Sequence, residues 1–121
     1  MQILAFNGSP RARGNTSAII ASMLEGARSR GAETYEIKLH DIDFKGCLGC
    51  LGCRKNPGLC SAQDELSPWL AAIKTCAGMI VGCPIYMYRL SGQMKLFVDR
   101  IYSLYAGLPR GGYQSMVPPG K

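Results

Sequence analysis

The chain has 121 residues, 47% hydrophobic and 18% charged, which is room for one domain (residues 1–121) around one core. Its formal charge is +6, but the basic residues are scattered, with no run of five and no interleaved aromatics, which argues against a nucleic-acid partner. The apolar runs are too short to span a membrane and the N-terminus lacks a signal peptide's basic segment, so the expected location is the cytoplasm, where six cysteines stay reduced, metal-bound or catalytic.

Gln2 to Phe6 is a short apolar run that ends in Asn7-Gly8-Ser9-Pro10, a buried strand feeding a loop. Asn15, Thr16 and Ser17 are N-cap residue types, and Ile19, Ile20, Met23, Leu24 and Ala27 follow at helical spacing. Gly31 is a natural helix stop. Thr34 to Leu39 alternates, with Tyr35, Ile37 and Leu39 on one face, and predicts a second strand. His40, the one histidine, falls just after it and reads as a surface or turn residue.

A loop over residues 46–60 carries Cys47, Cys50, Cys53 and Cys60, spaced C-x2-C-x2-C-x6-C. Gly46, Gly49 and Gly52 precede the first three, so the backbone can turn sharply around a bulky group. The spacing is near that of a ferredoxin but differs in the last gap. Zinc normally takes two separated C-x2-C pairs, which a shared run supplies awkwardly. An iron–sulfur cluster suits the run better, with unliganded thiols as the plain alternative.

Asp64, Glu65 and Pro68 favour a helix start, and Trp69, Leu70, Ile73 and Cys76 continue at helical spacing. Cys76 reads as a small buried hydrophobe and Cys83 as packing. Ala77 to Cys83 is unbroken apolar sequence, as in a strand buried on both faces. Pro84-Ile85-Tyr86-Met87-Tyr88 is an aromatic loop, and Ser91 caps a helix with the stripe Met94, Phe97, Val98, Ile101 and Leu104. Residues 108–121, rich in proline and glycine, read as an irregular tail.

The order β-α-β-loop-α-β-α predicts an α/β fold, an open parallel sheet in strand order 2-1-3 with helices on both faces. In such sheets ligands sit beyond the carboxyl ends of the strands where the order reverses. That brings the loop after strand one beside the loop after strand three. Ser9, Arg11, Asn15, Thr16 and Ser17 then surround a helix N-terminus, an arrangement that suits a phosphate. The sequence is neither a Walker A loop nor a dinucleotide fingerprint. Tyr86 and Tyr88 nearby suggest a flat ligand. The third strand would be an apolar edge, which should be covered by a partner chain or a further C-terminal stretch.

Together these segments resemble a known family. N-G-S-P-R-x-x-G-N-T-S is similar to the phosphate loop of the flavodoxin-like NAD(P)H-dependent FMN reductases, and residues 84–100 resemble their flavin-ring loop and following helix. The cysteine run between them resembles the iron–sulfur flavoprotein branch. The resemblance implies FMN, with its phosphate on Ser9, Arg11, Asn15, Thr16 and Ser17 and its ring against Pro84, Ile85, Tyr86, Met87 and Tyr88. It implies a 4Fe-4S cluster on Cys47, Cys50, Cys53 and Cys60. It implies a homodimer or homotetramer that couples a two-electron carrier to a one-electron carrier, with NAD(P)H or ferredoxin as donor. The family's fourth and fifth strands would lie beyond this sequence. The alternatives are a cluster-free NAD(P)H-dependent FMN or quinone reductase and a small zinc-stabilised binding module.

Overall fold

The computed structural model describes residues 1–107 and 110–119. Three parallel strands, β1 (Gln2–Asn7), β2 (Glu33–Lys38) and β3 (Gly78–Gly82), form a sheet in the order β2-β1-β3. β1 is central, pairing Phe6 with Ile37 on one side and with Val81 on the other. This is the expected flavodoxin-like α/β arrangement.

The alternation of β1 divides the core. Ala5, with Ile3 beside it, packs under α1 (Asn15–Arg28) against Ile20 and Leu24. Leu4 and Phe6 face the opposite layer, made by α3 (Ser67–Ile73) and α4 (Gly92–Ile101). There Phe6 stacks on Phe97 with ring centroids 4.2 Å apart, and Leu70, Ile73, Cys76, Met94 and Leu104 close around them. Burial of each such side chain stabilises the fold by about 1.5–3 kcal/mol.

Four expectations need correction. In α1, Ile19 and Met23 are exposed, because the helix lies on a narrow sheet that reaches only Ile20 and Leu24. In α4, Val98 faces out and Arg100 is buried in its stead. β3 is not covered on both faces: Met79 and Val81 are 41% and 47% exposed, since no strand pairs with its outer edge among the described residues.

The irregular tail is the fourth. Two short strands, β6 (Tyr105–Gly107) and β7 (Tyr113–Ser115), form an antiparallel hairpin around Gly111 and Gly112. Leu108, Pro109, Gly120 and Lys121 of that tail lie outside the described residues. No helix is long and apolar enough to cross a membrane among the described residues. His40 is an exposed turn residue, as expected.

Candidate cofactor site

The loop after β1 is organised by Asn7, which the sequence reading placed at the head of the loop without giving it a role in the site. It is buried, and its Oδ1 accepts from the Ser9 amide at 2.9 Å. Its Nδ2 donates to Ser17 Oγ at 3.0 Å and to Glu36 Oε1 at 2.8 Å. An asparagine ahead of Gly-Ser at a strand end is the turn-forming signal that marked this loop in the sequence, and the side-chain bonds give it its structural role. Ser9 Oγ accepts from the Arg11 amide, and Ser17 Oγ donates to the Arg11 carbonyl. The Ser17 hydroxyl is thus engaged in shaping the loop, and what it can offer an anion is its backbone N–H.

The N-cap of α1 is Gly14 rather than Asn15, and no side chain caps the helix. The first helical bond runs from the Ala18 amide to the Gly14 carbonyl, so the amides of Asn15, Thr16 and Ser17 precede it. Arg11 and Arg13 are exposed beside them. An uncapped helix N-terminus with two arginines fits an anionic group.

Backbone contact brings the other half of the site alongside. The Gly8 amide donates to the Gly82 carbonyl at 2.8 Å. A β-carbon on Gly8 would lie 2.8 Å from Ser91 Oγ and 2.9 Å from Cys83 Cβ, so only glycine fits. Ser91 Oγ donates to the Gly8 carbonyl at 2.7 Å and accepts from the Met94 amide as the cap of α4. One serine therefore fixes the loop after β1 against the start of α4.

The aromatic loop is a tight hairpin, β4 (Ile85–Tyr86) paired with β5 (Arg89–Leu90). Its turn residues Met87 and Tyr88 both take positive φ, 47° and 62°. Ile85, Met87 and Tyr88 are 80%, 88% and 94% exposed. Pro84 is half-buried.

The cysteine loop packs near the other end of α4. A β-carbon on Gly46 would meet Leu96 Cδ2 at 2.6 Å, and one on Gly52 would meet Ser61 Oγ at 1.8 Å. These glycines let the loop press against α4 and against itself. Leu51, with φ 56°, turns the chain into the one-turn helix α2 (Gly52–Lys55). Cys47, Cys50, Cys53 and Cys60 line one cavity of about 40 Å³, with Arg100, Tyr102 and Ser103 across from them. All four are unbridged. The Gly52 amide holds the Cys50 thiol below its ordinary range. Burial pushes Cys53 up, and the thiols of Cys60, Cys47 and Cys50 add to the effect. Among the described residues no three His, Cys, Asp or Glu side chains converge closely enough to hold a single ion.

The sequence pattern described as NADPH-dependent FMN reductase matches residues 1–113. The chain belongs to that family. Within it, the chain is similar to an iron–sulfur flavoprotein of Methanocaldococcus jannaschii, at 35% identity over 88% of this chain and 55% of that one. A second, from Archaeoglobus fulgidus, is 34% identical over 83% of this chain and 48% of that one. The chain thus spans about half the length of the curated relatives it matches. The fold is shared with the crystal structure of an NADH:FMN oxidoreductase in its apo form (TM-score 0.63, 21% identity, 90% of this chain and 60% of that one). It is also shared with a Streptococcus mutans protein (TM-score 0.70, 17% identity, 100% of this chain and 64% of that one).

In this FMN reductase family member, FMN fits the loop after β1 on its own chemistry: uncapped amides, arginine charge and a tight glycine approach. The cysteine cavity offers soft thiol donors. Four thiols around one cavity are the donor set that an iron–sulfur cluster takes, and Leu48 and Leu51 on the cavity's wall are 69% and 48% exposed. Sequence reading missed the roles of Asn7 and Arg100. Arg100 gave no signal, because a polar residue in the last turn of an amphipathic helix ordinarily faces water.

Proposed function

We propose that this chain is a redox flavoprotein that carries FMN at the β1 and β3 loop ends and an iron–sulfur cluster on Cys47, Cys50, Cys53 and Cys60. Bound FMN supplies two-electron chemistry, and a cluster supplies a one-electron carrier. The carrying observation is that the four cysteines line one cavity packed on α4, the helix that begins at the flavin-loop hairpin. Ten helical residues span about 15 Å, so the two sites are held at opposite ends of one rigid element.

The chain's own residues divide the work. Arg11 and the amides of Asn15, Thr16 and Ser17 hold the phosphate, with Ser9 and Asn7 fixing the loop's shape. Pro84 to Tyr88 form the wall against the flavin ring. We assign NAD(P)H as the two-electron donor, a reading supported by the family's description as NADPH-dependent, with ferredoxin as the one-electron alternative, and a homo-oligomer as the working form. A single zinc ion suits the site less well. Sulfurs bound 2.3 Å from one zinc lie within about 4 Å of each other, a convergence these thiols lack. A cluster spreads its cysteines over separate irons.

A cluster-free FMN reductase is the second reading, favoured by the small volume of the cavity. The deciding experiment is the visible spectrum of anaerobically purified protein, with iron and acid-labile sulfide assayed on the same sample. Broad brown absorbance over the flavin bands, with iron and sulfide, is expected. Yellow flavin bands without iron would establish the second reading. Protein that binds no added FMN would sink both.

A further inference from the structure

Arg100 is 1% exposed, the largest fully buried side chain among the described residues, and no step of the proposed chemistry uses it. Its Nη1 donates to the Lys45 carbonyl at 2.7 Å and to Asp64 Oδ2 at 2.7 Å. Its Nη2 donates to the Ala62 carbonyl at 3.0 Å and to Asp64 Oδ1 at 3.3 Å. Lys45 stands just before the cysteine loop and Ala62 just after it. One guanidinium therefore ties the two ends of the loop together.

The third donor is the informative one. Arg100 Nε is buried and has no partner among the described residues. A buried N–H left unmatched costs about 1–3 kcal/mol, more when it belongs to a charged group. The side chain that carries it lines the cavity of the four cysteines. A cluster's potential is set in part by local charge and by hydrogen bonds to its sulfurs.

We propose that Arg100 is a positioning residue for the cluster, whose Nε–H donates to the sulfur at Cys60 and whose charge raises the cluster's reduction potential. This rests on the cluster reading above. Reduction adds one negative charge beside a fixed cation, so the reduced form gains more from Arg100 than the oxidised form does. The couple is a one-electron one: an electron passes from a reduced mediator to the bound cluster, and no bond forms or breaks.

The test is a mediated redox titration of anaerobically reconstituted protein, followed by electron paramagnetic resonance, with iron and sulfide measured on each sample. Arg100→Met is expected to lower the midpoint potential, and Arg100→Lys, which keeps the charge but loses Nε–H, to lower it less. Asp64→Asn removes an anion and leaves the cation, so it is expected to raise the potential. A purely structural clamp would move the Arg100 and Asp64 variants in the same direction or not at all, and that result overturns the proposal. If Arg100→Met does not fold, the opposite signs of Arg100→Lys and Asp64→Asn make the same decision. Wild-type protein that takes up no iron overturns this inference and the cluster reading together. A full wild-type cluster whose potential is unchanged in Arg100→Lys overturns this inference alone.

Discussion

Met87 and Tyr88 occupy the left-handed region at both central positions of a two-residue hairpin turn, where Asn-Gly is the usual pair. A residue with a β-carbon held there costs about 1 kcal/mol or more. The two side chains are almost wholly exposed, so packing within the chain does not offset that strain. Strain kept without internal return points to a role in binding. Replacing the pair by Met87→Asn with Tyr88→Gly is expected to stabilise the fold by about 1–2 kcal/mol and to weaken FMN binding at least tenfold. Thermal unfolding and a flavin fluorescence titration read the two effects. Unchanged FMN affinity would remove the hairpin tip from the site. The aromatic content of this loop and its place after β3 were legible in the sequence, and the structure leaves its tip exposed. The hairpin was not, because Met-Tyr carries none of the turn chemistry that normally announces one.

Helices and strands were legible where a hydrophobic period ran long enough, as in α3, whose Leu70 and Ile73 are buried as their spacing suggests. Short elements without a period, α2 and the β6–β7 hairpin, were not. α2 rests on a left-handed Leu51, and the hairpin is braced from outside: Tyr102 meets the Tyr113 ring edge-on at 5.8 Å and Arg54 donates to both hydroxyls. Across elements, the ion pair of Arg100 on α4 with Asp64 ahead of α3 carries a pH dependence. Burial would push the Asp64 carboxyl up, but Arg100 and the Lys45 amide hold it below the usual range. A carboxyl lowered in the folded state stabilises fully above its unfolded value, near pH 4, and that stabilisation fades as pH falls through the folded value. Asp64→Asn should therefore cost about 3 kcal/mol at pH 7, the lower end for breaking a buried pair. The difference from wild type should shrink steadily below about pH 4. Denaturant unfolding at pH 7, 5, 4 and 3 measures it, and a gap that stays constant down to pH 3 would contradict the assignment.

For the whole molecule, the alternation of runs made the order β2-β1-β3 legible, since right-handed crossovers leave few other arrangements. Burial of β3 was misread for a physical reason: an apolar run reports what could cover a strand, whereas its exposure depends on what does. β1 holds one edge of β3, and the other edge has no partner among the described residues. Beside it a groove of about 540 Å³ runs between β3, α3, α4 and the C-terminal hairpin, walled by Ile73, Met79, Ile101, Leu104 and Val117. An apolar strand with unpaired backbone groups is a template for another strand. The expected consequence is self-association through this edge, rising with concentration. Met79→Lys with Val81→Lys places two charges on the half-exposed face of the strand and leaves the buried face, toward Ala5 and Ile20, untouched. The double variant should weaken self-association at least tenfold, about 1.4 kcal/mol, with the far-ultraviolet circular dichroism retained. Sedimentation velocity over a hundredfold range of concentration is the measurement. Association that survives both lysines would place the contact elsewhere, with the exposed hairpin of Ile85, Met87 and Tyr88 as the next surface to charge.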